Sequence, residues 1–217
     1  MPVRAKYDAA QLSDDRRHWA NADALSADAA LSPVIRRQIR NRARYERNNN
    51  SYLAGISSTL AADLIGTGPR LQLQTGDDAA DREIERGFFD WGWQINLPVK
   101  LRTMREALVT DGEVFALMVT NPRVPGGVQL DVRLLEAEMV ATPTELMAQS
   151  VNLEGNTVDG LEFDTDGNVV AYQVRKYHPG SNYRINNLQF SRVPANQIVH
   201  WFRPSRPGQH RGIAEVA

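Results

Sequence analysis

The stretch VPANQIVHWFRPSRPGQHRGI, residues 193–213, combines a strand and a loop signal in 21 residues. The apolar residues within 198–202 predict a buried strand. The Arg, Pro and Gly residues that follow predict an irregular basic loop. The fold must therefore supply a β-sheet partner and a packing surface for this strand, and the preceding sequence offers both.

The partner strands are predicted upstream, because the apolar period changes from 3.6 to 2 after Gly112. EVFALMVT at 113–120 reads as a strand, NPRVPGG at 121–127 as a turn, and 128–135 as the return strand. A short helix is possible at 144–148. Strands at 158–163 and 169–176 flank DTDGN, whose Asp-Gly pair predicts a hairpin turn. A calcium loop is disfavoured, since Arg175 stands where that loop needs a glutamate.

The sequence before Gly112 predicts helices. Ser32 and Pro33 are typical of a helix start, so we expect a helix over 33–47. Three more helices are expected near 53–64, after Asp77 and from about Asn96, and RLQLQ at 70–74 alternates like a short strand. Core-facing stripes are predicted for two of these helices, formed by Leu53, Ile56, Leu60 and Leu64 in one and by Ile84, Phe88, Trp91 and Ile95 in the other.

Two helical features leave alternatives open. Arg36, Arg40, Arg44 and Arg47 share one face of the first helix, which suits contact with nucleic-acid phosphates. The same face also suits solvent, or acidic residues at a subunit interface. In the third helix the dense aromatic residues, with Phe89 and Trp93 beside the stripe, are expected to be core. A ligand pocket or a partner-docking face is the alternative.

Composition and spacing exclude several kinds of site. The 217 residues carry a net charge of −1 and no cysteine, so a disulfide, a thiolate zinc site and a cysteine nucleophile are all excluded. The GTGP segment lacks the Lys of a nucleotide loop, no Gly-x-Ser-x-Gly elbow occurs, and no two histidines have helical metal-ligand spacing. His200 within an apolar strand is expected to be a core histidine. Glu136 and Glu138 are the one carboxylate pair that suggests acid–base chemistry, although a solvated edge explains them more simply.

Six segments, taken in order, resemble the lambda family of phage portal proteins. They are RRHWANADALSADAALSP (16–33), IRRQIRNRARYERNNNSYLAGI (35–56), LIGTGPRLQ (64–72), TDGEVF (110–115), GLEFDTDGNVVAYQV (160–174) and the opening stretch. Each segment alone is weakly specific, whereas their common order along the chain is specific.

The resemblance implies a structural, non-catalytic subunit without cofactor or metal. Such subunits form a ring, dodecameric in the family, at one capsid vertex of the virion, and the ring conducts double-stranded DNA during packaging and ejection. Terminase, the major capsid protein and head-completion proteins are the implied partners, with assembly in the bacterial host cytoplasm. No membrane association is expected, since no stretch approaches the ~18 apolar residues of a spanning helix.

We therefore predict an α+β fold in which a helical N-terminal half packs on a β-rich C-terminal half. The expected divisions are an extended arm at 1–32, a helical region at 33–111 and a β-rich wing region at 112–217. By the resemblance, channel, clip and crown regions would follow, and Arg203, Arg206 and Arg211 would lie at the hinge toward them. The main functional alternative is a nucleic-acid-binding module that uses the basic helix 33–47.

Overall fold

The fold is described from a computed structural model, which describes Trp19 and residues 22–143, 156–181 and 189–217. The helices are α1 (Ala27–Ala30), α2 (Pro33–Asn49), α3 (Ser51–Ile65), α4 (Asp78–Gln94) and α5 (Leu97–Thr110). The strands are β1 (Glu113–Thr120), β2 (Leu130–Leu135), β3 (Asn156–Val158), β4 (Leu161–Phe163), β5 (Val169–Arg175), β6 (Phe190–Pro194) and β7 (Ile198–Phe202). This order confirms the predicted α+β class.

Polar residues precede the longer helices, and two of them cap the helix that follows. α2 begins at Pro33 as predicted, although the Ser32 hydroxyl makes no capping hydrogen bond. The side chain of Asn50 accepts hydrogen bonds from the first-turn N–H groups of α3, and that of Asp77 does the same for α4. These acceptors satisfy N–H groups that a helix leaves unpaired at its start. The asparagine run therefore ends one helix and starts another.

Two antiparallel sheets follow the helices, one in the order β2-β1-β7 and the other in the order β3-β4-β5-β6. The predicted hairpin turn is confirmed between β4 and β5, where Asp164 Oδ1 accepts hydrogen bonds from the backbone N–H groups of Asp166 and Asn168. The predicted pairing of 113–120 with its return strand is also confirmed, with β2 starting at Leu130. β7, from the opening stretch, pairs along the other edge of β1.

β1 is the strand that connects the layers, since its alternate side chains face opposite ways. Val114 and Ala116 pack against Met104 and Leu108 of α5. Phe115, on the other face, joins a core cluster with residues of the second sheet. The helices therefore cover one face of the β1 sheet, and the second sheet packs against the other.

The predicted core stripe of α3 is wrong. Ile56, Leu60 and Leu64 are exposed, whereas Ser57 and Ala61 are the buried residues of this helix. α3 packs through its small side chains, which allow its backbone to approach the neighbouring helices closely, and this turns the bulky residues outward. The periodicity located the helix but assigned the wrong face to the core.

The remaining predictions concern residues 70–74, the possible helix at 144–148, the arm and the absence of a membrane span. Residues 70–74 are assigned to no strand, and the N–H of Leu73 donates to Glu85 of α4 instead of to a sheet. The possible helix at 144–148 lies outside the described residues, as does most of the arm at 1–32, whose described end contains α1. Among the described residues, no helix is both long and apolar enough to span a bilayer.

Candidate functional site: a buried charge network

The arginine face of α2 points into the protein. The side chains of Arg36 and Arg40 are 5% and 4% exposed, and those of Arg44 and Arg47 are about a third exposed. Each of the four pairs with carboxylates of the same chain. We call the connected groups the buried charge network, which comprises Arg36, Arg40, Arg44, Arg211, Asp111, Glu113, Glu136, Glu138 and Asp159.

Glu113 is the centre of this network. It is the first residue of β1 and completely buried. Its Oε1 accepts from Arg36 at 2.9 Å, and its Oε2 accepts from the backbone N–H of Gly212 at 3.0 Å. His200 Nε2 lies 3.1 Å from the same Oε2. An ionised carboxylate can only accept, so the imidazole proton lies on Nε2 and points at Glu113.

Arg211 is the second central group, and it comes from the opening stretch. Its Nε and Nη2 donate to the two carboxylate oxygens of Glu113, each at 2.8 Å, which is the bidentate geometry that a guanidinium favours. The remaining N–H groups donate to the backbone carbonyls of Ala137, Val140 and Asp159. All donors of Arg211 are thus used within the interior, and one side chain connects β1 with the segments before and after β3.

The outer end of the network lies between α2, the end of α5 and the segment after β2. Arg44 donates to both oxygens of Asp111, at 2.7 and 2.6 Å, and it also pairs with Glu136 and Glu138. Arg47 pairs separately with Glu106 of α5. The basic stripe of α2 therefore holds the helix against both the helical layer and the sheets.

Two groups at the centre of the network, Glu113 and Arg36, are charged at neutral pH. Burial alone would raise the pKa of Glu113, but the charge of Arg211 and hydrogen bonds from His200 and Arg211 hold this pKa well below its ordinary value. Burial, together with the charge of Arg211, lowers the pKa of Arg36 to about 9, so Arg36 still carries its charge at pH 7. Burial also lowers the pKa of His200, which keeps that ring neutral. Glu113 and Arg36 are therefore fixed charges at pH 7.

Fixed charges suit acid–base catalysis poorly. Burial would raise the pKa of Glu138, but Arg40 and Arg44 lower it overall. A carboxylate held as an anion cannot deliver a proton at neutral pH. The nearby cleft of about 380 Å³ is lined by Glu136, Arg44 and Asp111 but not by Glu138. The two glutamates therefore do not share a pocket as an acid and a base would.

A metal site fits the geometry no better. Glu136, Glu138 and His178 bring possible ligand atoms within 4.8 Å of one another. However, His178 Nδ1 accepts a hydrogen bond from the backbone N–H of Gly180 at 3.0 Å, so the proton of the neutral ring lies on Nε2. Nε2 is the atom that faces the two carboxylates, and a metal would have to replace its proton. Arg44 already neutralises both carboxylates.

Sequence reasoning found the arginines of α2, and it named Glu136 and Glu138, but as a carboxylate pair and not as partners of these arginines. It did not predict Glu113, Asp159 and Arg211 as site residues, because contacts between positions 52 to 123 apart leave no local pattern. His200 was predicted to be a satisfied core histidine, and its hydrogen bond with Glu113 confirms this. The expectation that the stripe meets phosphate or a neighbouring subunit stays a prediction.

Comparison with known proteins identifies the family of the chain. Residues 13–217 match the sequence profile described as phage portal protein, lambda family. The chain belongs to the lambda family of phage portal proteins. A curated relative named "Probable portal protein", from Halomonas phage phiHAP-1, is 27% identical over 192 residues. That alignment covers 81% of this chain but 36% of the relative, so the chain spans about a third of the length of the curated portal protein it matches.

Membership of the portal family connects the network with a structural role. Portal proteins are virion components, and the family is a structural, non-enzymatic kind. The described part of this chain agrees with such a role, because its densest cluster of charged groups is internal and self-satisfied. The ion pairs of this cluster hold α2 against the end of α5 and against the sheets.

Proposed function

We propose that this chain is part of a non-catalytic subunit of a portal ring at one capsid vertex, through which phage DNA is packaged and ejected. The observation that carries this proposal is the match of the lambda-family portal profile across residues 13–217, nearly the whole chain. The fold supports it, since a ring subunit needs rigid layers, and the buried charge network ties α2 to both sheets.

The partners are proposed on the same ground. We expect a homo-oligomer, dodecameric as in the family, that contacts terminase, the major capsid protein and head-completion proteins. Assembly is expected in the host cytoplasm before DNA enters. The divisions at 1–32, 33–111 and 112–217 are kept as the proposed arm, helical region and wing region. Of the four arginines on the inner face of α2, Arg44 and Arg47 keep partly exposed side chains. We therefore expect the subunit contact of this face at these two residues.

The location of the protein in the particle tests this role. Antibodies raised against the 217-residue chain and coupled to gold should label procapsids at a single vertex. A preimmune serum and an antibody against the major capsid protein are the controls, the latter being expected to label the whole shell. Label distributed over the shell, or restricted to particle-free material, would contradict the proposal.

A nucleic-acid-binding module is the second candidate, and one observation favours it. Arg37 and Arg42 lie on the outer face of α2, are exposed, and form no ion pair with the described residues. They are two cations, however, whereas the four arginines of the inner face already pair with carboxylates. Each neutralised phosphate contributes to DNA affinity through counterion release, so two arginines support only weak, salt-sensitive binding.

A further inference from the structure

Two aromatic rings are exposed on α4. Phe88 and Trp91 pack against the core, as the sequence predicted, whereas Phe89 and Trp93 are 64% and 76% exposed. Phe89 and Trp93 are one helical turn apart, so their rings are neighbours on one face. At ~150–250 Å² per aromatic side chain, their exposed parts come to roughly 250 Å² of apolar surface. A patch of this size on one helix marks a contact with another molecule.

The same face of α4 carries positive charge. Arg82, Arg86, Phe89 and Trp93 follow one another at spacings of four, three and four residues, so we call them together the arginine–aromatic face. Both arginines are exposed, and neither side chain forms an ion pair or a hydrogen bond with the described residues. Arg70 lines the groove beside the two rings. A partner of this face should therefore offer apolar side chains together with a carboxylate.

A second exposed face lies on α3, and we call it the apolar face of α3. Its members are all exposed, and they are Tyr52, Ile56, Leu60, Leu64 and the adjoining Asp63. Asp63 is the one charged residue among the 15 of this helix, and it has no ion-pair partner among the described residues. The exposed side of a helix in a soluble protein is normally polar or charged, so an apolar stripe here indicates a surface that a partner covers.

The two faces match in chemistry and in spacing. Each has two large apolar side chains followed by one charge, at intervals of four and three residues. The charges are opposite, and the order along α4 is the reverse of that along α3. Each set spans seven residues, or about 10.5 Å at 1.5 Å per residue. In an antiparallel pairing of the helices, the facing residues are Ile56 with Trp93, Leu60 with Phe89, and Asp63 with Arg86.

The charges around this pairing allow it. Asp63 meets Arg86 directly, with Arg70 close to the rings, and opposite charges favour the correct register over others. Glu83 and Asp90 of α4 lie beside the arginine–aromatic face and border the contact.

The two faces meet only between copies of the chain. α3 and α4 each pack against α5 through other side chains. Both faces stay exposed in the chain that carries them, so neither covers the other within one molecule.

From these observations we propose that the apolar face of α3 binds the arginine–aromatic face of α4 in a neighbouring copy of this chain. Such a contact joins two different surfaces, and head-to-tail contacts of this kind form rings when the rotation closes. The inference rests on the proposed portal function and adds to it which surfaces meet. It also gives Phe89 and Trp93 a role in partner docking, which the sequence had left as the alternative to a core role.

Cysteine cross-linking tests the contact directly, because the chain has no cysteine and thus no background reaction. Two variants with tags of different length, one carrying Leu60→Cys and the other Phe89→Cys, are mixed and treated with a short bifunctional maleimide. A denaturing gel then separates the products. The control mixture combines Phe89→Cys with Tyr45→Cys, since Tyr45 on α2 is 64% exposed, as Phe89 is.

The expected result is a mixed dimer of the 60 and 89 variants, with far less product from the 45 and 89 variants. A 60/89 product no stronger than the control overturns the inference. A 60/60 product in its place also overturns it, because α3 would then bind α3.

Exchange of the facing charges gives a second readout that a folding defect does not imitate. Asp63→Arg and Arg86→Asp alone should each raise the concentration needed for assembly about fivefold, because each brings like charges together. The double variant should return to within about twofold of the unmodified chain, since it restores an opposite pair. Sedimentation measures these concentrations. A double variant that assembles no better than the single variants overturns the proposed register.

The contact and the portal function can fail separately. Gold label at a single vertex without the 60/89 product would keep the portal function and remove the contact. The 60/89 product without such label would keep the contact between copies and remove the portal function.

Discussion

At the scale of single residues, Glu113 determines how the layers meet. Its carboxylate accepts from α2 through Arg36, from β7 through His200 and from the last described segment through Arg211 and Gly212. Burying one carboxylate is costly unless it is paired and hydrogen-bonded throughout. This residue therefore stabilises the fold only while its partners stay in place, which makes it a sensitive position for mutation.

Replacing Glu113 by glutamine should destabilise the chain by about 3–5 kcal/mol, because the buried Arg36 and Arg211 would lose their shared carboxylate and keep the single charge of Asp159 between them. Urea denaturation followed by tryptophan fluorescence measures the loss. The control is Glu83→Gln on α4, where the side chain is exposed and a change within about 0.5 kcal/mol is expected. Equal effects of the two substitutions would show that the network contributes little.

Acid should weaken the fold through the same residue. The pKa of Glu113 in the folded protein lies below its ordinary value of 4.5, so the unfolded chain binds more protons at low pH. The stabilisation from Glu113 is therefore full above pH 4.5 and is lost as the pH falls below that value. Urea midpoints measured from pH 7 down to pH 3 should decline below 4.5, and less steeply in Glu113→Gln. Parallel declines in both proteins would contradict this role.

At the scale of elements, the crossing of two backbone segments fixes where α5 gives way to β1. Gly112 has a φ of +81°, and a Cβ there would lie 2.1 Å from the carbonyl carbon of Ile213. Gly212 approaches Gly112 equally closely from the other side. No side chain fits between them, so the opening stretch can place Arg211 against Glu113.

Gly112→Ala should therefore destabilise the chain by about 2 kcal/mol or more, from backbone strain and from the steric contact. Gly55→Ala is the matched control, because Gly55 lies within α3 and a Cβ there meets nothing within 4 Å. That substitution should stabilise by about 0.5–1 kcal/mol through helix propensity. Thermal unfolding of the two variants should thus shift in opposite directions, and a shift in the same direction would refute the crossing.

The exposed side of α2 predicts weak DNA binding. With Arg37 and Arg42 as the available cations, log K should fall with log salt at a slope of about −1.8. Gel-shift titrations of duplex DNA between about 50 and 200 mM salt measure this slope. A slope steeper than about −4 would require the inner arginines to leave their carboxylates, and would favour the nucleic-acid-binding module.

Local signals explain which elements the sequence could predict. Ser32–Pro33 predicted the start of α2, Gly112 predicted the change to β-structure, and Asp166–Gly167 predicted the hairpin. Each of these signals depends on the backbone conformation of the residues themselves and not on distant contacts. The face that a helix buries depends on its neighbours instead. In α3, Ser57 and Ala61 determine the packing, and hydrophobicity alone pointed to the neighbouring face of the helix.

At the scale of the whole molecule, the sequence predicted the arginine stripe but not the charge network to which it belongs, because the stripe is local and the network is tertiary. The arginine stripe was visible in the sequence, but its carboxylate partners come from several later segments that only the tertiary fold brings together. The family could be recognised because its motifs recur in order along the chain. The role of the arginines could not be recognised from the sequence, since a stripe that faces carboxylates and a stripe that faces phosphates have the same periodicity.

The central claim is our proposal that this chain is part of a ring-forming portal subunit, within which Arg36 and Arg40 of α2 are internal. Negative-stain electron microscopy of the purified chain over a range of concentrations, with its mass in solution measured in parallel, tests it most directly. We predict closed rings with a central opening, and a mass that is a fixed multiple of the 24.3 kDa chain. Particles without rotational symmetry, together with a monomer mass at every concentration, would contradict it.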